Sequence, residues 1–127
     1  MISEQVLASF TDKSVLVTGG TGLIGRQVVD LLCGVGAKAK IVSLDRVAVD
    51  DRAEHVHGDL TRFEFCMEIA SGMDFVFHLA GIKGSAAVSE TKLASHFIPT
   101  MMMNTNMLEA CRLAGVKKVV YTSSIGA

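Results

Sequence analysis

The chain lacks the excess of basic residues by which proteins bind nucleic acids. Its 12 lysines and arginines are balanced by 13 aspartates and glutamates, and the formal net charge at pH 7 is -1. Nucleic-acid binding depends on neutralising many phosphates with positive side chains. The charge balance therefore predicts that the protein has no nucleic-acid partner.

Segments that would take the chain into a membrane are also missing. Residues 1–12 contain no basic segment followed by an apolar run and a cleavage site, so they do not resemble a signal peptide. No apolar run approaches the ~20 residues of a membrane-spanning helix. We therefore expect a soluble, cytoplasmic protein without a membrane partner.

The cysteine and histidine patterns exclude two further classes of site. Cys33, Cys66 and Cys111 lie far apart and form no C-x-x-C pair, which is typical of reduced cytosolic thiols packed in a core. His55 and His57 share one face of a predicted strand, but no third ligand stands near them in the sequence. The sequence predicts neither a disulfide framework nor a metal site.

What the sequence does contain is a regular alternation of apolar runs and helical patterns. Half of the 127 residues are hydrophobic, which suits one compact domain whose sheet is covered on both faces. The predicted strands are Ser14–Thr18, Ala39–Leu44, Ala53–His57, Asp74–Leu79 and Val116–Ser123. The predicted helices are Glu4–Phe10, a helix from Gly22 that Gly34 and Gly36 end, Arg62–Ser71, and a long helix that ends at Ala114.

This order of elements predicts an α/β fold of the Rossmann type. We expect a doubly wound parallel sheet in the strand order 3-2-1-4-5, with helices on both faces in three layers, α/β/α. Thr61 is expected to cap the third helix, Gly115 to cap the long helix, and Pro99 to interrupt or restart it.

The strongest functional motif is G-x-x-G-x-x-G, formed by Gly19, Gly22 and Gly25 between the first strand and its helix. Small residues let the backbone approach a diphosphate, and the N–H groups at the start of the helix point toward its charge. Glycine-rich turns of this kind also occur without a ligand, so the motif alone is weak evidence.

Asp45 supplies the context that favours a dinucleotide. It follows the second strand, twenty residues after Gly25, where a carboxylate can accept hydrogen bonds from an adenosine ribose. The same carboxylate would repel a 2′-phosphate, which favours NAD over NADP. Arg46 could pair with that phosphate and keeps NADP as an alternative, while the alternative for Asp45 is an ordinary loop acid.

Five segments, in order along nearly the whole chain, resemble one family. They are TGGTGLIG at Thr18–Gly25, Gly58-Asp59-Leu60, HLAGIK at His78–Lys83, NMLEAC at Asn106–Cys111 and YTSS at Tyr121–Ser124. The chain is similar to the extended short-chain dehydrogenase/reductase superfamily. Within it, the chain looks most like the NAD-dependent epimerase/dehydratase family, whose nucleotide-sugar enzymes include UDP-glucose 4-epimerase.

The resemblance implies a role for each matching residue in binding the cofactor. Leu23 and Ile24 would lie over the pyrophosphate, Asp59 and Leu60 beside the adenine, Leu79, Ala80 and Gly81 along the cofactor, and Lys83 at the nicotinamide ribose. The Asp59 carboxylate would accept a hydrogen bond from the adenine amino group. The alternative for Asp59 is a turn acid that caps the next helix.

The resemblance also implies that Ser124 is the catalytic serine, which hydrogen-bonds the reacting sugar oxygen and shares its proton with a tyrosine. The family's Y-x-x-x-K segment should lie beyond the fifth strand, and the chain ends at Ala127 before reaching it. In that segment the lysine lowers the pKa of the tyrosine so that it can act as a base. We therefore expect residues 1–127 to be an NAD(P)-binding domain that is inactive by itself, without a substrate domain.

The long helix departs from the family pattern. Thr100, Met103 and Asn104 occupy the places of an asparagine and a Gly-Thr pair. The family pairs its subunits through this helix and the next, which implies a homo-oligomer.

The leading hypothesis is the NAD-binding portion of a nucleotide-sugar epimerase/dehydratase, in which hydride passes transiently between sugar and NAD. One alternative is a dinucleotide-sensing module that docks a partner. The other is an NADPH-dependent extended reductase of a small ketone of the steroid or flavonoid type.

Overall fold

Strands and helices alternate in the computed structural model, which describes residues 3–44, 48–80 and 93–122, and the side chains of the last range from residue 98 onward. Its strands are β1 (Ser14–Thr18), β2 (Lys38–Ser43), β3 (Glu54–His57), β4 (Phe75–His78) and β5 (Lys118–Tyr121). Its helices are α1 (Glu4–Ala8), α2 (Leu23–Gly34), α3 (Phe63–Ala70) and α4 (Leu93–Ala114).

The five strands form one parallel sheet in the order β3-β2-β1-β4-β5, which confirms the predicted Rossmann-type topology. The central strand β1 pairs with β2 on one side and β4 on the other, so that Thr18 stands opposite both Val42 and His78. From β1 the chain adds β2 and β3 on one side of the sheet, and it then returns to add β4 and β5 on the other side of β1. The order of the strands thus reverses between β1 and β4. In folds of this kind the reversal opens a crevice outside the carboxyl ends of the strands.

Successive residues of β1 face two separate cores. Leu16 packs with Val42 and Val76 against residues of α3 and α4, including Ile69 and Met107. Its neighbours Val15 and Val17 pack on the opposite face with Ile41 against Val29 and Leu32 of α2. Because a strand directs alternate side chains to opposite faces, an apolar run such as SVLVT is stable only when helices cover both sides.

Gly115 ends α4 as the sequence predicts. Its φ angle is +75°, in the left-handed region that glycine adopts at little cost. The Gly115 N–H donates to the Arg112 carbonyl, and the Val116 N–H donates to the Cys111 carbonyl. These two bonds form a Schellman motif, and they explain why β5 begins at Lys118 rather than at Val116.

Two expectations about the helices are wrong. Thr61 does not cap α3, because the helix begins at Phe63 and the N-cap position is Arg62, which makes no side-chain capping bond. Pro99 does not interrupt α4, which runs through it. A proline in a helix removes one N–H donor, and burial of Met103 and Met107 on the following turns offsets that loss.

No helix in the described ranges is both long and apolar enough to cross a membrane.

Candidate functional site

The glycine turn folds tightly onto itself at the end of β1. Gly19 has a φ angle of +73°, and its carbonyl accepts a hydrogen bond from the Gly22 N–H at 3.1 Å. Gly25 is buried in the first turn of α2, and a Cβ there would collide with the Gly19 carbonyl oxygen. The backbone path of the turn therefore excludes side chains at Gly19 and Gly25.

The same turn leaves the start of α2 open to a ligand. Gly22 is the N-cap, and it supplies no side-chain capping bond to the first N–H groups of the helix. Leu23 and Ile24 expose 80% and 59% of their surfaces. N–H groups without a side-chain cap and the helix dipole suit an anion, and two exposed apolar side chains suit the body of a large ligand. The arrangement fits a dinucleotide diphosphate.

Gly19 brings the turn into contact with the end of β4. A Cβ on Gly19 would lie 2.7 Å from the Ala80 nitrogen and 2.7 Å from the Leu79 carbonyl carbon, closer than real side chains approach. Gly19, Leu79 and Ala80 are thus neighbours, as expected of residues that line one cofactor. The backbones of Gly19, Leu79 and Ala80 would form part of the wall of a cleft at this edge of the sheet, which could hold a flat or extended ligand.

A buried polar cluster lies behind this wall. Thr18 and His78 are 0% and 2% exposed. The Thr18 Oγ1 lies 2.7 Å from His78 Nδ1, and His78 Nε2 lies 2.7 Å from Asn104 Oδ1. The Thr18 hydroxyl oxygen also accepts from the backbone N–H groups of Leu79 and Ala80 at 3.1 and 3.2 Å. No local sequence pattern predicts this cluster, because its members lie far apart in the chain.

Asp59 lies in the turn between β3 and α3. Its Oδ1 accepts from the Thr61 N–H at 2.9 Å and from the Thr61 hydroxyl at 2.7 Å. These bonds to Thr61 lower the pKa of the Asp59 carboxyl, so the group is ionised at neutral pH. An ionised carboxylate is an acceptor only, which suits an amino group of a ligand.

Leu60 has its side chain in the core rather than on the surface. Its carbonyl accepts from Asn106 Nδ2 at 3.1 Å, and Cys66 Sγ lies 3.2 Å from the same oxygen. Burial raises the pKa of the Cys66 thiol to about 11, so it remains a protonated core residue. Any contact of Leu60 with a ligand would thus come from its backbone.

The connection between β2 and β3 is tied to α2. Arg52 donates to Asp30 Oδ1 at 2.9 Å and to Asp50 Oδ2 at 2.7 Å. Hydrogen bonds from Arg52 lower the pKa of Asp50 to about 2. The Val49 N–H donates to His55 Nε2 at 3.0 Å. These bonds hold Val49, Asp50 and Arg52 against α2 and β3.

Five of the predicted site residues lie outside the described residues. They are Asp45, Arg46, Gly81, Lys83 and Ser124.

Comparison with known proteins places this site in a family. The family model described as "NAD dependent epimerase/dehydratase family" matches residues 15–127. The chain belongs to the NAD dependent epimerase/dehydratase family. The nicotinamide cofactor of this family is the kind of ligand that the glycine turn and the open start of α2 fit.

Relatives of the chain are dehydrogenases and epimerases. A 3 beta-hydroxysteroid dehydrogenase/Delta 5-->4-isomerase from Mycobacterium tuberculosis is 34% identical over 98% of this chain and 35% of its own length. The structure of UDP-glucose 4-epimerase with UDP-glucose from Thermotoga maritima is 32% identical, with a TM-score of 0.79 over 90% of this chain and 38% of that chain. The chain spans about a third of the length of the curated relatives it matches.

A third relative was solved with a nicotinamide cofactor. The structure of a mutant uronate dehydrogenase from Agrobacterium tumefaciens complexed with NAD is 25% identical, with a TM-score of 0.74 over 88% of this chain and 41% of that chain.

Because His78 is buried, we expect the free energy of unfolding to fall in mild acid. Burial lowers the pKa of His78 below its ordinary value, so the unfolded chain binds a proton more readily than the folded chain. The stabilisation is present above the unfolded pKa of about 6.5, and it falls as the pH drops from there through the folded pKa, by up to about 1.4 kcal/mol per pH unit. Urea unfolding followed at several pH values measures this slope.

His78→Gln should flatten the slope between about pH 5 and 7, while His57→Gln, on an exposed strand residue, should leave it unchanged. If the free energy of unfolding depends on pH equally in the wild-type chain and in His78→Gln, His78 is not the cause of the loss of stability in acid.

Proposed function

We propose that residues 1–127 form the NAD-binding domain of an enzyme that transfers hydride between a secondary alcohol carbon and the nicotinamide ring. The observation that carries the proposal is the uncapped start of α2, which follows a glycine turn packed against the end of β4. This surface lies at the ends of β1 and β4, where the order of the strands in the sheet reverses. The family to which the chain belongs is NAD dependent.

Each part of the site has a role in this proposal. Gly19, Gly22 and Gly25 admit the diphosphate to the N–H groups of α2, and Leu23 and Ile24 cover it. The remaining roles are those implied by the family, with Asp45 at the adenosine ribose, Asp59 and the Leu60 backbone at the adenine, Leu79, Ala80 and Gly81 along the cofactor, and Lys83 at the nicotinamide ribose.

The reaction needs a hydride acceptor and a path for one proton. Bound NAD supplies the acceptor, which takes two electrons and a hydrogen from the alcohol carbon. Ser124 would hydrogen-bond the reacting oxygen and hold its proton for transfer to a base.

NAD is favoured over NADP because Asp45 would repel a 2′-phosphate. The relative from Agrobacterium tumefaciens was solved with NAD, which agrees with that preference. Arg46 is the residue through which an NADP preference would arise.

Two substrate classes are candidates, and each rests on its own observation. A nucleotide sugar is favoured by the family resemblance and by the likeness to UDP-glucose 4-epimerase. A 3-hydroxysteroid is favoured by the 34% identity to hydroxysteroid dehydrogenases. Both classes present a secondary alcohol, so the same hydride chemistry serves either.

NAD binding provides the direct test. Calorimetry should show that the chain binds NAD⁺ and binds NADP⁺ about tenfold more weakly, and that Gly22→Ala weakens NAD⁺ binding at least about tenfold. A Cβ on Gly22 lies 3.4 Å from the Gly19 carbonyl oxygen, an ordinary contact, so this variant should fold. Its methyl group would meet the diphosphate instead.

Gly34→Ala is the matched control, because a Cβ at Gly34, in the last turn of the same helix, meets no atom within 4 Å. Its NAD⁺ affinity should equal that of the wild-type chain. Absence of binding to any nicotinamide dinucleotide would refute the proposal. Tight preference for NADPH would favour a ketone reductase, and strong preference for one redox form would favour a sensor.

The chain by itself should not turn over either substrate class. We propose that residues 1–127 carry the cofactor site and Ser124 without the tyrosine and lysine that complete the family's proton transfer. Two assays measure turnover: chromatography that separates UDP-glucose from its epimer, and the absorbance of NADH formed with a 3β-hydroxysteroid. Measurable turnover with either substrate would show that the domain is catalytically sufficient.

We also propose that the chain self-associates through α4. One face of this helix carries exposed apolar side chains at helical spacing, namely Ile98, Met101, Met102 and Leu108. Sedimentation at micromolar concentration should show a dimer or larger species, and Leu108→Glu should shift it toward the monomer. A clean monomer for the wild-type chain would contradict this proposal.

A further inference from the structure

The hydrogen bonds around Thr18 favour one arrangement of protons. A threonine hydroxyl has one proton to donate and two lone pairs that accept. The N–H of Ala80 and the N–H of Leu79 both point to this oxygen and can only donate, although the Leu79 N–H also reaches the Thr18 carbonyl. The hydroxyl proton is therefore free to go to His78 Nδ1, at 2.7 Å.

This arrangement requires His78 to be unprotonated at Nδ1. If Nδ1 accepts from Thr18, a neutral imidazole must be protonated at Nε2. Nε2 faces Asn104 Oδ1 at 2.7 Å, and a carbonyl oxygen can only accept. The three side chains then form one chain of donors and acceptors from β1 through β4 to α4.

We propose that Asn104 is a positioning residue, which holds His78 as the Nε2–H tautomer and thereby keeps the Thr18 hydroxyl free to accept from the Leu79–Ala80 backbone. The opposite tautomer would place a third donor, Nδ1–H, at the Thr18 oxygen in competition with the two N–H groups.

The tautomer of His78 would affect the candidate site through the backbone of Leu79 and Ala80. The Leu79–Ala80 peptide packs against Gly19, with no room for even a Cβ between them. A shift of this peptide would therefore move the glycine turn. The effect on cofactor binding rests on the proposed function, whereas the effect on the peptide does not.

NMR of the chain labelled with ¹⁵N tests the proposal. At about pH 8, where a histidine is neutral, the wild-type chain should show a protonated Nε2 and an unprotonated Nδ1 on His78. Asn104→Asp, which keeps an acceptor of the same size, should preserve this signature. Asn104→Leu, which has a similar volume and no acceptor, should shift His78 toward the Nδ1–H form and move the amide signals of Leu79 and Ala80.

NAD⁺ calorimetry on the same proteins gives the second readout. Asn104→Leu should bind NAD⁺ about tenfold more weakly. The matched control is Thr105→Leu, on the exposed side of the same helix, which should match the wild-type chain in both readouts.

An Nδ1–H tautomer in the wild-type chain would overturn the proposal, and this result does not depend on whether Asn104→Leu folds. Unchanged His78 and amide signals in folded Asn104→Leu would also overturn it. If the wild-type chain binds no NAD⁺ while the His78 and amide signals respond as expected, the proposed function fails and the positioning of the Leu79–Ala80 peptide by Asn104 stands.

Discussion

The site depends on a close approach between two stretches of backbone. Strands β1 and β4 are parallel neighbours whose last residues, Thr18 and His78, stand side by side. The chain must then leave β1 directly against the Leu79–Ala80 peptide, and only a residue without a Cβ can do so at a φ angle of +73°. Because Gly19 permits this path, α2 begins at Leu23, four residues later, with Gly22 as an N-cap that makes no side-chain capping bond.

The core explains how a polar cluster can be buried beside that turn. β1 is covered on both faces by helices, and its apolar residues alternate between two cores. A buried polar group is costly when it has no hydrogen-bond partner, by about 1–3 kcal/mol. Among the described residues no buried side-chain nitrogen or oxygen lacks a partner, so Thr18 and His78 avoid that cost. The cluster can thus hold the backbone in place without weakening the fold.

A chain with almost no net charge can still offer a surface that suits a diphosphate. The net charge is -1, and the N-terminus of α2 offers backbone N–H groups in place of a group of cationic side chains. Relatives with different named activities match this chain over about a third of their own length, among them a hydroxysteroid dehydrogenase and a UDP-glucose 4-epimerase. In the proposed function, the described residues would bind the cofactor, and other parts of such enzymes would choose the substrate.

Much of the fold follows from local patterns in the sequence. The alternation of apolar runs and helical spacing predicted the parallel sheet and its strand order, because crossovers in parallel sheets have one hand and few topologies remain. The glycine turn and the Gly115 cap were predictable because each depends on the backbone of a few adjacent residues. The family resemblance added the residues expected at the cofactor, of which Gly19, Leu79 and Ala80 lie together.

Other features were decided by tertiary structure. Thr61 bonds to Asp59 instead of capping α3, and α4 continues through Pro99 because its later turns are buried. The pairing of His78 with Thr18 and Asn104 joins residues 60 and 26 positions apart. No local pattern encodes such a pairing, since it depends on which strands are neighbours and on how α4 is rotated against the sheet. The sequence alone determined the turn that can admit a diphosphate, and only the packed sheet and helices decided which side chains hold that turn in place.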